Sequence, residues 1–268
     1  MTIKKSYVIE NEFELYEMCT LNNSESVFDL LALYFSNEEN IKNKILFNQA
    51  KTVANDFNLS LEHDAIVKFC NALSVLQTAN AMSQYITKVD SHNNIRSEPV
   101  DFVMFGDSIT DWGPWYELFP KKKLVNRGIA GDNTQGMLYR MGNILPLNPK
   151  KVFIMAGIND LSQGFSIKSI LKRYCKMLDF FQMNNIEPIV QSTLFVGKRL
   201  AALNPLVLEF NQNLQDICKD KKISYIDLTI VLSPNNTLPS EHSRDNLHLT
   251  AIAYQKWAEL IRPWLRHD

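Results

Sequence analysis

Phe102-Val103-Met104-Phe105-Gly106-Asp107-Ser108-Ile109 carries an apolar run directly into a Gly-Asp-Ser turn. A short apolar run bounded by turn residues reads as a buried strand. The serine hydroxyl is then placed where a strand ends and a helix begins. Gly, Asp and Ser are also ordinary residues for such a turn, so capping of the next helix by Asp107 or Ser108 is the competing reading.

Outward from this stretch, strand and helix alternate. After Pro99, apolar β-branched runs occur at Val100 to Phe105, Leu124-Val125, Val152 to Met155, Pro188 to Val190 and Ile223 to Ile226. Helical patterns separate them at Thr134 to Met141, Ile167 to Phe181 and Leu206 to Lys219, and a last one runs from Thr250 to Leu265. Short apolar strands joined by helices predict a parallel sheet covered on both faces, a three-layer α/β/α domain. Ligand sites in such sheets lie beyond the carboxyl ends of the strands. Ser108, Gly131 and Asn159 each follow a different strand at that edge.

Before this alternation the pattern is helical. Segments containing Phe13, Leu15, Tyr16 and Met18, then Val27 to Leu31, then Ala65 to Met82 predict an all-α region, with Ser36 and Glu39 as a capping box. A polar stretch from Asp90 to Pro99 reads as a linker. The division is therefore a helical region at 1–95 and an α/β domain at 96–268. With 268 residues, 46% hydrophobic and 21% charged, the chain has the composition of a globular protein. A formal net charge of -1 gives no general attraction to nucleic acid or anionic membrane. The N-terminus lacks a secretory apolar stretch and no segment is long enough to span a bilayer, so a cytoplasmic location is expected. The four cysteines, Cys19, Cys70, Cys175 and Cys218, are scattered without metal-ligand spacing and read as reduced structural thiols.

Three downstream blocks give the Ser108 turn its weight. They are Asn126 to Asp132, Gly157-Ile158-Asn159-Asp160 and Asp245-Asn246-Leu247-His248. A serine hydroxyl needs a base to take its proton as it attacks. His248 suits that role and can return the proton to a leaving alkoxide. Asp245 or a backbone carbonyl would fix the imidazole tautomer. The oxyanion formed on attack needs donors already in place. Gly131 offers a backbone N–H, Asn159 a side-chain amide and Ser108 its own N–H. His242, in a polar loop, reads as solvated; His63, His92 and His267 fall in a helix, the linker and the terminus. No H-E-x-x-H, G-x-G-x-x-G or P-loop occurs, so neither metal nor cofactor is expected. The missing G-x-S-x-G disfavours an α/β-hydrolase fold.

These blocks, in this order, resemble those of the SGNH/GDSL hydrolases over about Val100 to Leu265. Phe119-Pro120, Asn126 to Asp132 and Leu247-His248-Leu249-Thr250 with Tyr254 look particularly like the branch of platelet-activating-factor acetylhydrolase catalytic subunits and bacterial acetylesterases. The resemblance implies a flavodoxin-like sheet of five parallel strands and a triad of Ser108, Asp245 and His248. It also implies an oxyanion hole of Ser108, Gly131 and Asn159, no cofactor, and action on short-acyl esters.

Trp112, Trp115 and Tyr116 follow the nucleophile and either wall the substrate pocket or pack in the core. The expected substrate is a short-acyl, preferably O-acetyl, ester of a carbohydrate or small lipid. A lysophospholipase or thioesterase, an acyltransferase to a glycan, and a non-catalytic binding module are the alternatives. The N-terminal helices would cover the site, pair two subunits or bind a partner.

Overall fold

A computed structural model of the chain describes residues 82–95 and 98–266. The earlier helical segments, the Ser36 and Glu39 box, Cys19, Cys70, His63 and His267 lie outside the described residues. Ser83–Asp268 forms one compact unit.

Five parallel strands, β1 (Phe102–Gly106), β2 (Leu124–Gly128), β3 (Lys151–Met155), β4 (Glu187–Gln191) and β5 (Ser224–Ile226), lie in the order β2-β1-β3-β4-β5. This is the flavodoxin-like order. Every residue of β1 is buried, as its unbroken apolar run requires of a central strand covered on both faces. In register, Phe102 and Gly106 of β1 sit beside Leu124 and Gly128 of β2, and beside Lys151 and Met155 of β3.

The helices in chain order are α1 (Met82–Asn94), α2 (Ser108–Asp111), α3 (Trp115–Leu118), α4 (Thr134–Arg140), α5 (Ile158–Ser162), α6 (Ile167–Met183), α7 (Asn204–Asp220), α8 (Thr229–Leu232) and α9 (Ala251–Ile261). Right-handed crossovers decide their faces. The β1 to β2 connection moves one way along the sheet and every later connection moves the other, so they cover opposite faces. Helices α4, α6 and α7 accordingly pack together and on β4 and β5. On the opposite face, Trp115 of α3 meets Trp257 of α9 with ring centroids 4.8 Å apart and nearly perpendicular. The Trp257 indole N–H donates to Gln191 Oε1 of β4 at 2.6 Å. The core between these layers is aromatic, with Phe102 against Phe153 and Phe105 edge-on to Phe181.

The elements follow the sequence reading, with three differences. Strand β2 continues through Asn126, Arg127 and Gly128, because those backbones pair with β1; its loop begins at Ile129. Helix α1 runs to Asn94, so the first half of the expected linker is helical. It is held by the Lys88–Asp111 ion pair, 2.8 Å, and by the Tyr85 hydroxyl donating to the Gly136 carbonyl at 2.9 Å. The last helix ends at Ile261 and tightens into a 3-10 turn at Arg262–Trp264, where Pro263 has no N–H to continue the ladder. Cys175 and Cys218 are free thiols, and burial pushes the latter up to about 12, leaving it inert.

Candidate active site

The switch point of this sheet lies between β1 and β3, whose following connections run to opposite faces. Ser108 follows β1 and Asn159 follows β3, so both stand at that crevice. Asp107 is the N-cap of α2, its side chain accepting from the Ile109 N–H at 2.9 Å. Capping thus belongs to Asp107 and leaves the Ser108 hydroxyl free for another partner. Ser108 Oγ lies 3.0 Å from His248 Nε2.

His248 is held from its other side. Its Nδ1–H donates to Asp245 Oδ2 at 2.5 Å, which leaves Nε2 as the acceptor facing Ser108. Asp245 Oδ1 accepts from the backbone N–H groups of Leu247, 3.0 Å, and His248, 2.8 Å, and from Ser243 Oγ at 3.2 Å. Of the two tautomer-fixing partners open to sequence reasoning, the carboxylate is the one present. Partial burial raises the Asp245 carboxyl, but the hydrogen bonds from the His248 ring, the His248 N–H and the Leu247 N–H outweigh it and hold the group well below its usual range. The turn is anchored by its neighbours. Asn246 has φ 74°, its carbonyl accepts from the Gly197 N–H at 2.8 Å, and Arg199 donates to the Asp245 carbonyl at 2.8 Å. Thr250 caps α9, and the Tyr254 hydroxyl donates to the Ile109 carbonyl at 2.7 Å, tying the helix after the histidine to the turn after the serine.

The residues read as oxyanion donors come to the same sheet edge by a different route. Gly131 adopts φ 80°, a left-handed conformation that a glycine reaches without a Cβ penalty. Its loop is pinned to the Ser108 turn by the Ile129 N–H on the Gly106 carbonyl, 3.0 Å, and the Ala130 N–H on Asp111 Oδ2, 3.1 Å. Gly157, φ 128°, opens α5, so Asn159 is not that helix's cap; a Cβ at Gly157 would meet the Phe210 ring at 2.7 Å. Asn159 Nδ2 donates one hydrogen to the Asp132 carbonyl at 2.7 Å, next to Gly131, and among the described residues its second amide hydrogen meets no protein acceptor. Among the described residues, the Ser108 and Gly131 N–H groups donate to no protein acceptor.

Beneath this loop lies a buried charge network that sequence reasoning missed. Arg140 donates through Nε to Asp132 Oδ2 at 2.6 Å and through its terminal nitrogens to the carbonyls of Arg127, 2.5 Å, and Gly106, 2.9 Å. Arg173 donates to Thr134 Oγ1 at 2.7 Å and Asp160 Oδ1 at 3.1 Å, while Asp160 also accepts from the Thr134 hydroxyl and N–H. Burial raises all three aspartates. Asp107 reaches about 7, with Ile109 opposing the rise, and Asp132 about 6, with Arg140 opposing it; Asp160 is raised against the pull of Arg173. The available signal was an arginine on an apolar helix stripe, since Arg173 stands among Ile170, Tyr174, Met177 and Leu178 on the buried face of α6.

The aromatic trio divides. Trp115 is core, Tyr116 is exposed, and Trp112, 53% exposed, lies against His248 with ring centroids 3.9 Å apart. His242 is buried and not solvated as read from its polar neighbours. Its Nδ1–H donates to the Leu232 carbonyl at 2.7 Å, and Nε2 accepts from Lys256 at 2.8 Å, so an inward turn of the loop satisfies both ring nitrogens. His92 is helical, and burial and nearby cations lower it to about 3. Among the described residues no His, Cys, Asp and Glu cluster suits a metal ion, and no helix is long and apolar enough to cross a membrane.

A hydroxyl, an imidazole and a carboxylate hydrogen-bonded in series stand at the carboxyl edge of the sheet, beside its switch point. Residues 104–256 match the GDSL-like Lipase/Acylhydrolase family, and the chain belongs to that family of ester hydrolases. A GDSL-like lipase from Bacteroides thetaiotaomicron superposes with TM-score 0.60 at 20% identity, over 68% of this chain and 96% of that one. A Streptococcus pneumonia protein provisionally described as a platelet activating factor gives TM-score 0.63 at 22% identity, over 73% and 99%. An acetyl xylan esterase, AlAXEase, gives 0.55 at 20%, over 62% and 100%. At such identities these likenesses establish the fold. In sequence, N-acylneuraminate cytidylyltransferases of Streptococcus agalactiae serotypes Ia, III and V are 23% identical over 227 residues, 83% of this chain and 54% of theirs. The chain thus spans about half the length of the curated relatives it matches.

Proposed function

We propose that Ser108, His248 and Asp245 form a catalytic triad that hydrolyses short-acyl esters, O-acetyl esters of carbohydrates by preference, through an acyl-serine intermediate. The observation that carries this reading is the unbroken chain Ser108 Oγ, His248 Nε2, His248 Nδ1 and Asp245 Oδ2, with links of 3.0 and 2.5 Å. Ser108 Oγ attacks the ester carbonyl carbon while its proton passes to His248 Nε2. The carbonyl oxygen becomes an oxyanion that accepts from the Ser108 and Gly131 N–H groups and the free Asn159 amide hydrogen, donors worth roughly 3 to 4 kcal/mol each. Collapse breaks the bond to the alcohol oxygen, which takes the proton from His248. A water molecule, deprotonated by the same nitrogen, then attacks the acyl-serine and releases the carboxylic acid and the free hydroxyl. Asp245 keeps the tautomer and faces the imidazolium in both halves.

Support for a carbohydrate ester comes from the sugar-directed names among the similar proteins, an acetyl xylan esterase and the N-acylneuraminate enzymes. Exposed aromatic surface beside the base, at Trp112 and Tyr116, suits a sugar face. We take the hydrolase domain as 96–268 and 1–95 as a helical N-terminal region. The test is release of p-nitrophenol from p-nitrophenyl acetate by the intact protein beside Ser108→Ala. A fall in kcat on the order of 10⁴-fold or more, with folding unchanged, is expected. Equal activity in both proteins overturns the assignment of Ser108. A screen of acyl lengths and O-acetyl glycans follows, in which preference for long-chain esters overturns the short-acyl reading.

A further inference from the structure

His248 is gripped on three sides, and the triad accounts for two of them. The third is the indole of Trp112. Its ring centroid is 3.9 Å from that of the imidazole, with the planes inclined by 36°. The contact is built into the nucleophile turn. Trp112 is the C-cap of α2 and lies four residues after Ser108, so both side chains leave the same side of one helical turn, closed by the Trp112 N–H on the Ser108 carbonyl at 3.0 Å. One short element therefore presents both the hydroxyl that gives up a proton and an aromatic face against the ring that receives it. A tryptophan that is 53% exposed adds little to the core by being there.

An indole face is the negative pole of a ring quadrupole and attracts a cation over it. In the proposed reaction the base takes up the Ser108 proton and becomes cationic at the transition state. An aromatic face in van der Waals contact with it therefore favours the charged form more than the neutral one, which is the differential interaction that lowers a barrier. We infer that Trp112 is a positioning residue for His248, which orients the imidazole toward Ser108 and stabilises the imidazolium through its π-face. This rests on His248 acting as the base.

The charged groups linked to His248 by hydrogen bonds are Asp245 on its own turn and, through the Asp245 carbonyl, Arg199 from the 3-10 turn Lys198–Leu203. Neither changes when the indole is replaced. Removing the ring would also expose the imidazole to water, which favours the cation, so the informative replacement keeps an apolar cover without a π-face. Trp112→Leu does that, and Trp112→Phe restores a smaller π-face.

The experiment is the pH profile of p-nitrophenyl acetate hydrolysis by wild type, Trp112→Leu and Trp112→Phe, with thermal melts as a folding control. For Trp112→Leu, kcat at the plateau falls roughly two- to fivefold and KM is unchanged. Its acid limb of kcat/KM moves to lower pH by about half a unit, because the less stabilised imidazolium gives up its proton sooner. Trp112→Phe recovers most of both effects. An acid limb that stays fixed or moves upward overturns the inference, as does a loss confined to KM or a Phe variant no better than Leu. Proton NMR titration of the His248 ring in a Ser108→Ala background reads the same displacement without turnover. That arm separates failure of the Trp112 inference from failure of the esterase reading.

Discussion

The two halves of the proposed active site are built by opposite means. The base half is exposed and local: the Asp245 and His248 side chains are 48% and 22% accessible, and the hydrogen bonds that shape the turn come mostly from residues 243 to 248. The frame under the proposed oxyanion donors is buried and long-range: Asp132, Arg140, Asp160 and Arg173 are almost wholly inaccessible, and their bonds join β1, β2, α4, α5 and α6. A group that must accept and release protons during turnover stays at the solvent edge, where a short turn can hold it. Donors that must not move when charge appears in front of them rest on a network that cannot relax without breaking the core. The same contrast sets the cost of damage, because an exposed pair contributes little to stability while a broken buried pair leaves an uncompensated charge.

Replacing Asp245 by Asn tests this contrast where the effect is largest. The amide cannot hold the required tautomer, so kcat falls on the order of 10³ to 10⁴-fold, while the urea midpoint moves little. A large loss of stability would show that the base turn is part of the structural frame and end the distinction. Arg173→Met makes the complementary cut. It removes the cation that faces the buried Asp160 carboxylate and the donor to Thr134 Oγ1, leaving only the Thr134 hydroxyl and N–H on Asp160, and urea unfolding should show a loss of about 3 to 5 kcal/mol. In the protein that remains folded, kcat falls as well, because Asn159 precedes Asp160 in the same turn. Stability within 1 kcal/mol of wild type would mean that the network is dispensable.

The smallest expected effect is a difference in sign with pH. Asp245 is held below its unfolded value, so its contribution is present above the unfolded value near 4 and is lost as pH falls through the folded one. Asp107 and Asp132 are raised to about 7 and about 6, so their contribution is fully present below about 4 and is lost as pH rises toward 6 to 7. The Asp107→Asn protein keeps an acceptor for the Ile109 N–H and should lose less stability than wild type between pH 4 and 8. Parallel denaturation curves for the two proteins across that range would refute the assignment.

Legibility followed the same division. The Asp245-x-x-His248 turn could be read because its bonds join neighbours in sequence, and the strand before Ser108 because a central parallel strand is apolar on both faces. Arg140 and Arg173 could not be assigned, since a single arginine on an apolar stripe announces burial but not its partner, and Asp160 lies 13 residues from the arginine it meets. His242 was misread for the same reason: its polar neighbours, Glu241 and Ser243, suggested solvent, while its partners Leu232 and Lys256 come from α8 and α9. Trp112, Trp115 and Tyr116 could not be told apart until packing placed one on the base, one in the core and one in water.

The sequence by itself determined the alternation of strand and helix, the carboxyl-edge location of Ser108, Gly131 and Asn159, and the residue types of a hydrolase site. Those follow from periodicity and turn chemistry, which act over a few residues. Only the tertiary structure decided that Ser108 meets His248 across 140 positions, that a carboxylate rather than a carbonyl holds its ring, and that buried ion pairs lie beneath the Gly131 loop. Those depend on how the crossovers bring distant loops to one sheet edge, and no local pattern encodes a distance between elements.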